Sequence, residues 1–587
     1  MTEPTTNLKK FIKSEYTLFL LTLMAVALPL IWAHQAPPLP AFFSQWLAGI
    51  GWSLVAIGAS YALIRAPGGA LHSRNRLTTT TAARWALFAL WAVLLTSLML
   101  HVALSWTPTF IALPILFNLV LAATLSVVVV DVVVQASGSS KPDLSRRWLA
   151  ALLAGVLIAA LYNSGVALVQ TVAPNWTNEN WVASISADTA RHGAGRASGN
   201  LRQPNQLATL TIWGMLAATN LLRRMPWLWA TASVPLLLTL FATGSRVGVL
   251  SLALIIGVAL IRSRRARSWQ RKAWLVAGLT ALLLAGFAAS AFTRDTADSA
   301  LSQRLALWRD VWTIIKHSGW FGVGWGQLNF AWTLTPLPAR APDVFDHAHS
   351  LPLHLIAELG WALALSVLAL LGLTLWFSRR AGATRGGATA QLMLATVLLH
   401  SLFEYPLWFA YFLLPSAFLL AWLAVADITT LKPEGDGQRS RMLLIATSAV
   451  TVTVAVACIA LALYAWREYE KISAIYRHTA SANALKSAAT DARKSPLYGQ
   501  FGDYAAIMIA GNNAQLAWFA RPIRQVLDER LLAAYASALA RAGETDKAAF
   551  IVARAREFPP QPMFDGLPIT SPSTIASSPF TPRDFVR

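Results

Sequence analysis

Apolar runs long enough to cross a lipid bilayer recur along this chain, and no other feature limits its fold as strongly. A hydrocarbon core about 30 Å thick is crossed by about 20 apolar helical residues. The runs are continuous and do not alternate with period two, which excludes a transmembrane β-barrel. Composition agrees: 56% of the 587 residues are hydrophobic and 13% are charged, where a soluble chain carries about 25% charged. The expected fold is all-α, a polytopic helical bundle of about thirteen spans. The runs fall near 15–33, 42–64, 84–103, 109–134, 148–170, 204–222, 226–242, 247–262, 273–292, 351–377, 389–403, 407–426 and 443–465. The run near 389–403 is the shortest.

A formal charge of +21 raises the question of nucleic acid. The basic residues lie mostly in short loops between apolar runs, RSRRARSWQRK at 262–272 being the clearest. That is the positive-inside pattern, with the N-terminus cytoplasmic and the C-terminus outside. No basic patch interleaved with aromatics occurs in a polar segment, so nucleic-acid binding is excluded. The first run follows Lys9, Lys10 and Lys13 and has the length of a retained span, not a cleaved signal. The single cysteine, Cys458, leaves no partner for an intrachain disulfide and no thiolate metal cluster.

Two outer segments are long, about 171–203 and 293–350. Residues 1–465 form the expected membrane domain and 466–587 a helical C-terminal region. Within the latter, ERLLAAYASALARAGETDKAAFIVARAREF reads as two helices joined at Ala542-Gly543-Glu544, like one tetratricopeptide helix pair. The final GLPITSPSTIASSPFTPRDFVR reads as an extended tail.

The outer segments hold the candidate chemistry. The first carries Arg191, His192, Arg196 and Arg202, with Gly193, Gly195 and Gly199 for close backbone approach. Asn200, Gln203 and Asn205 add amides. Guanidinium forks match phosphate oxygens, and Pro204 suits the first turn of a helix, whose N-terminus favours anions. A solvated basic loop touching headgroups is the plain alternative. Arg246 lies between two runs with almost no loop, so it faces water, a polar cavity or headgroups. In SQRLALWRDVW, apolar residues at 305, 308 and 312 define an amphipathic helix with Arg304 and Arg309 near its ends. The glycines of GWFGVGWGQLNF imply a tight loop; without the Lys-Ser/Thr of a P-loop it is a non-specific phosphate cradle.

FDHAHSLPLHLIAELG, residues 345–360, gathers His347, His349 and His354 with Asp346 and Glu358. Ser350 is a suitable N-cap and Pro352 fits the first helical turn. His349 then sits at a helix N-terminus, whose dipole favours the neutral imidazole. His354 and Glu358 share a helix face and point inward. Three readings stand side by side: a general base, a His-x-His metal site, or histidines that satisfy buried backbone. In HSLFEYPLWFAYF, His400, Glu404 and Tyr405 belong at the outer surface, with Glu404 free to orient a histidine or bind a hydroxyl; Trp408 and Tyr411 suit an interface belt.

RASGNLRQPNQLATL, TGSRVG, GVGWGQ, HAHSLPLHLIAELG and HSLFEYPLW occur in this order. Together they resemble the bacterial protein O-oligosaccharyltransferases, the general O-glycosylation ligases of the O-antigen ligase/polymerase superfamily, over roughly residues 140–560. Many relatives have Asn where this chain has Ser350. The resemblance implies a GT-C-like inner-membrane enzyme with a periplasmic site. Such an enzyme transfers an oligosaccharide en bloc from undecaprenyl pyrophosphate to Ser or Thr of a periplasmic protein such as a pilin, without metal, cofactor or nucleotide sugar. It maps the essential histidine onto His349 and the functional arginines onto Arg196 and Arg246. Arg304 and Arg202 join them as expected pyrophosphate ligands, and Asn200, Gln203, His347, Glu404 and Tyr405 as other substrate contacts. An O-antigen ligase with a lipid A–core acceptor, or an O-antigen polymerase, would use the same chemistry. A lipid-linked-sugar flippase fits less well, because the ionisable groups gather at the outer face and no internal repeat is evident.

Overall fold

The computed structural model describes residues 3–65, 79–138, 143–178, 180–184, 196–263, 278, 294–337, 340–341, 345–426, 437–476, 482–558 and 581–585. Among these the chain is helical throughout, with a lone bridge between Asn178 and Val182. Helices α1 (Glu3–Ile31), α2 (Phe42–Arg65), α3 (Thr79–Ala103), α4 (Thr109–Gly138) and α5 (Asp143–Val172) are followed by α6 (Pro204–Leu221), α7 (Pro226–Ala242) and α8 (Arg246–Ser263). The second long outer segment contains α9 (Arg294–Ser318) and the short α10 (Leu328–Leu334). Then come α11 (Leu351–Phe377), α12 (Arg385–Ser401), α13 (Ala410–Val425) and the long α14 (Gly437–Tyr476). Four further helices, α15 (Ala482–Ala492), α16 (Gly499–Ala510), α17 (Glu529–Arg541) and α18 (Thr545–Ala555), form the C-terminal region.

Among the described residues, six helices are long and apolar enough to cross a membrane: α2, α3, α4, α5, α11 and α14. Glu15–Ile31, α7, Arg246–Ile261 and α13 are shorter apolar helices. Large apolar side chains such as Leu54, Trp227, Leu238, Leu365 and Trp376 are exposed around the bundle, where hydrocarbon instead of water removes their cost. The chain is a multi-pass membrane protein. The expected runs near 204–222 and 389–403 are helices, α6 and α12, but are less apolar, because their polar side chains point into the bundle. Gln206, Thr209 and Thr211 of α6 and Thr396, His400 and Ser401 of α12 are all buried. The expected run at 273–292 lies outside the described residues.

Two helices organise the interior. All of α13 except Leu413 is buried, between α2, α3, α4 and α12. α6 packs against α5, α7, α8 and α12, which places its N-terminal turn at the centre of one end of the bundle. There Asn163 of α5 donates to Leu30 O at 2.8 Å and accepts from Asn200 N at 2.8 Å. Gln170 accepts from Ser198 N and Gly199 N at 3.0 and 2.9 Å. Gly199 has φ +58, and a Cβ there would meet Asn163 Oδ1 at 2.6 Å. The glycine therefore serves close packing on α5, not approach to a ligand.

The C-terminal region is joined to the bundle. α14 runs through residue 465 without a break. Tyr469 stacks on Phe42 at 3.8 Å, and its hydroxyl bonds the Ala36–Leu39 turn. The helix pair expected at 529–558 is α17 and α18, with Gly543 at φ +82 in the turn. Arg340, whose side chain is fully buried, pairs with Glu557 at 2.7 Å and lies over the rings of Trp332 and Phe558. It also bonds Trp332 O and Thr335 O. Of the expected extended tail, residues 582–585 form a 3-10 turn with Phe585 buried against Phe550, and 559–580 lie outside the described residues.

Removing one partner of a buried pair strands the other charge, at about 3 kcal/mol or more. Glu557→Ala is expected to lower the thermal unfolding midpoint of the detergent-solubilised protein and to speed proteolysis in 482–558. Glu557 also pairs with Arg554 at 2.8 Å, so Arg340→Met is expected to be milder than Glu557→Ala, which strands both guanidiniums.

Candidate active site

The segment Phe345–Ser350 is held on every side. Asn329 of α10 donates to Phe345 O at 3.0 Å, and Trp308 of α9 donates to Ala348 O at 2.9 Å. Ala348 N donates to His354 Nδ1 at 3.2 Å. His349 takes φ +47, a left-handed conformation that a non-glycine residue holds only when its surroundings over-determine it. Ser350 is the extended N-cap residue of α11 but makes no side-chain cap bond, and Pro352 lies in the first turn. The turn thus aims the His349 ring away from the helix axis and towards the α12–α13 connection.

There it meets Glu404. His349 Nδ1 lies 2.9 Å from Glu404 Oε2, and Arg304 Nη2 of α9 lies 2.8 Å from Glu404 Oε1. Asn205, in the first turn of α6, donates to the same Oε1 at 3.2 Å and accepts from Ser245 Oγ at 2.6 Å. Ser245 Oγ in turn accepts from Gly248 N at 3.1 Å, next to Arg246 at the start of α8. Arg196 donates through Nε to Thr243 O at 2.8 Å, against Gly244, whose φ is +55. Burial pulls Arg196 below the usual guanidinium range; the Glu404 carboxylate opposes this, and the Arg246 and Arg304 charges add to it. Arg304 pairs with Glu404, Arg196 lies within reach of its charge, and Arg246 and Arg304 both lie within reach of Arg196. Arg246 is exposed and has no hydrogen-bond partner among the described residues.

A carboxylate only accepts, so in the neutral His349 ring the proton sits on Nδ1 and the lone pair on Nε2. Burial alone would raise the Glu404 carboxyl, but the contact with His349 and the Arg304 charge outweigh it and hold the group below its ordinary range. The arrangement is a buried acid in contact with an imidazole, beside a group of guanidiniums.

Residues 231–368 match the family described as O-antigen ligase, and residues 389–564 the family described as virulence factor membrane-bound polymerase, C-terminal. Residues 197–222 match the family described as protein glycosylation ligase. Arg246, Arg304 and His349 fall in the first match, Glu404 in the second and Asn205 in the third. These segments are similar to O-antigen ligases and to protein glycosylation ligases. The general O-oligosaccharyltransferase of Acinetobacter baylyi is 29% identical over 252 residues, covering 38% of this chain and 43% of that one. The ComP-specific O-oligosaccharyltransferase of the same organism is 26% identical over 252 residues, covering 40% and 45%. The chain thus spans less than half the length of the curated relatives it matches. No solved structure matches it.

Other expected residues occupy different places. Arg202, at φ +57, bonds Gln35 Oε1 and Ala33 O at 2.7 and 2.6 Å and is not among the charges acting on Arg196. Asn200 bonds Ile31 O, Trp181 O and Ala183 N, and so staples α1 to the outer segment. Gln203 caps α6 by accepting from Gln206 N at 2.6 Å. His347 contacts Asp346 at 2.8 Å and stacks on Tyr405 at 4.0 Å. Tyr405 also meets the edge of the His349 ring at 5.2 Å. Burial, with the Asp346 and Glu404 carboxylates, raises its phenol, which stays a hydroxyl donor. His354 and Glu358 do share a buried face, 3.3 Å apart. Arg191 and His192 lie outside the described residues.

Four expectations are corrected. The buried face of α9 carries Leu307, Val311, Ile314 and Ile315, while Leu305 and Trp312 are exposed; in a membrane protein the apolar side need not be the inner one. His400 and Glu404 are buried, not at the surface. Trp408 and Tyr411 are not belt residues: Trp408 packs on the His354 ring at 4.5 Å, and Tyr411 donates to Gln206 Oε1 at 2.8 Å. The glycine loop has no free N–H groups for a phosphate at Val323, Gly324 and Gly326. Val323 N and Gly324 N donate to Ala357 O and Glu358 O, and Gly326 N donates to Glu358 Oε2 at 2.9 Å. A kink in α11 at Gly360, φ +78, receives this loop. Sequence reasoning missed the Asn205–Ser245 relay, although both residues lie in the quoted motifs.

Two outcomes follow. Gly360→Ala sets a Cβ against Trp320 O at an already left-handed position, and is expected to cut folded yield in size-exclusion chromatography. A carboxyl with a lowered folded pKa contributes stability that is full above its unfolded pKa of about 4.3 and lost as pH falls through the folded value. Thermal unfolding against pH should therefore lose an acid-side component in Glu404→Gln.

Proposed function

We propose that this protein is an O-oligosaccharyltransferase of the bacterial inner membrane, with its N-terminus cytoplasmic and its site and C-terminal region on the periplasmic side. It takes an oligosaccharide en bloc from undecaprenyl pyrophosphate and joins it to Ser or Thr of a periplasmic protein such as a pilin. The observation that carries this reading is the convergence of Arg196, Arg246 and Arg304 with a carboxylate-oriented His349 at one end of the bundle. The names of the relatives and the match of 197–222 to a protein glycosylation ligase favour a protein acceptor.

An apolar cavity supports a lipid-linked donor. It runs between α3, α4, α11, α12 and α13, from Leu351, Leu407 and Trp408 beside the His349 segment to Leu375 and Leu398. A polyprenyl tail lying there brings its pyrophosphate to the guanidiniums, which neutralise the charge that grows as the sugar leaves. The acceptor hydroxyl oxygen attacks the anomeric carbon, the carbon–oxygen bond to pyrophosphate breaks, and that electron pair leaves with the pyrophosphate. The hydroxyl proton passes to His349 Nε2. Attack opposite the leaving group inverts the anomeric configuration. Oriented reactants and a matched base are the effects required, because pyrophosphate is already a competent leaving group.

The test is transfer by purified protein from lipid-linked oligosaccharide to an acceptor protein, read as a glycan mass on Ser or Thr peptides. His349→Ala is expected to lower the turnover at least about 100-fold, and Arg246→Ala to raise the donor KM more than it lowers kcat. Near-normal turnover of His349→Ala removes it from the chemistry. Glycan on lipid A–core or on another glycan, with none on protein, supports the ligase or polymerase reading that the matches at 231–368 and 389–564 share.

A further inference from the structure

Both backbone polar groups of Ala348, the residue before His349, are held by side chains from different helices. Trp308 of α9 donates to Ala348 O at 2.9 Å, and Ala348 N donates to Nδ1 of His354, in the first turn of α11, at 3.2 Å. Ala348 is fully buried, so its N–H has no water to turn to if that acceptor is lost. With both groups fixed, the chain enters His349 in one direction, and His349 holds φ +47. Such a conformation persists in a non-glycine residue only where the surroundings impose it.

His354 is buried and is itself held. Ala348 N can only donate, so Nδ1 keeps its lone pair and the ring proton sits on Nε2, 3.3 Å from Glu358 Oε2. Glu358 in turn accepts from Gly326 N at 2.9 Å and Leu328 N at 3.2 Å. Trp408 packs edge-on against the His354 ring at 4.5 Å. On its other side His354 stacks on His347 at 5.2 Å, His347 stacks on Tyr405 at 4.0 Å, and Tyr405 meets the edge of the His349 ring at 5.2 Å. One imidazole thus reaches His349 by a backbone hydrogen bond and by a column of rings. The hydrogen bond is the stronger constraint. Rings can repack around a lost neighbour, whereas a buried N–H without its acceptor drives the turn to rearrange.

The geometry points to His354 as a positioning residue: by holding Ala348 N it keeps His349 Nε2 aimed at the acceptor hydroxyl. No contact joins it to Arg196, Arg246 or Arg304 among the described residues, so donor binding is separate from this role. The inference rests on the reading of His349 as the base of a glycan transfer.

Three variants of the full chain are compared in the transfer assay. His354→Phe keeps a ring and loses the acceptor. His354→Gln carries its amide out to the Nε2 position and leaves the Nδ1 position empty. His354→Asn sets an amide oxygen where Nδ1 stood. His354→Phe and His354→Gln are expected to lower kcat about 10-fold or more with the donor KM unchanged, as for a reacting group displaced by about 1 Å. His354→Asn is expected to keep kcat within about threefold of wild type. In a His349→Ala background, His354→Phe is expected to cause no further fall, because groups that act as one unit are not additive. Wild-type kcat in His354→Phe overturns the proposal, and so does a His354→Asn as slow as His354→Phe. A further loss of about 10-fold in the His349→Ala background does the same, since it marks a general structural role. Where His354→Phe fails to fold in size-exclusion chromatography, the contrast between His354→Asn and His354→Gln decides. If wild type transfers glycan to no acceptor, whether protein, lipid A–core or glycan, the transferase reading fails and this inference falls with it. An active wild type with unaffected His354 variants ends this inference alone.

Discussion

One buried carboxylate holds the site together. Glu404 contacts His349, Arg304 and Asn205 at 2.9, 2.8 and 3.2 Å, and these residues come from the start of α11, from α9 and from α6. Without it, three guanidiniums would face one another in a partly desolvated pocket, and like charges so placed repel strongly. With it, the imidazole, one guanidinium and the Asn205 amide meet a single carboxylate, and no ion pair joins Arg196 or Arg246 to another carboxylate among the described residues. The same contact selects the His349 tautomer. The meeting of an imidazole with a guanidinium and an amide thus follows from a single side chain on the α12–α13 connection.

That geometry needs a rigid frame, and the frame is built from backbone. The glycine loop before α10 closes onto the kink at Gly360, where positive φ at Gly322, Gly324 and Gly360 lets two backbones approach closely. Glu358 accepts Gly326 N and Leu328 N, so it anchors α10 to α11. α10 then positions Phe345 through Asn329 and carries Trp332, which packs on Phe345 at 5.8 Å and on Phe558 at 5.5 Å. Through Trp332 and the Arg340–Glu557 pair, the C-terminal helices bear on the segment that carries His349. They are part of the support of the site and not an appended module.

Much of this was legible in the residues. The helices at 42–64, 109–134 and 351–377 follow from apolar length alone. The turn in α17–α18 follows from Ala542-Gly543-Glu544. Arg246 stood out because charge beside hydrocarbon demands a partner or a ligand, while the resemblance pointed to His349 and Arg196. The failures have a common cause. The face of α9, the packing of Trp408 and Tyr411, and the engagement of the glycine loop all depend on which neighbour an element meets. Side-chain polarity does not report that neighbour when one side of the protein faces lipid. Arg202, Asn200 and Gln203 share a motif with Asn205, yet they cap a helix or staple the chain. Adjacent positions at a helix start project in different directions.

The sequence by itself determined that the chain is a helical membrane protein, which loops carry charge, and which side chains hold reactive groups. These are properties of short windows, set by the burial of hydrocarbon and the local hydrogen bonding of a helix. Only the tertiary structure decided which of them meet. Arg304 and Glu404 are 100 positions apart, and Asn205 and Glu404 are 199 apart. No local rule joins them. Packing of α6, α9, α11 and α13 does, because a buried carboxylate is stable only where the fold delivers its donors from several directions.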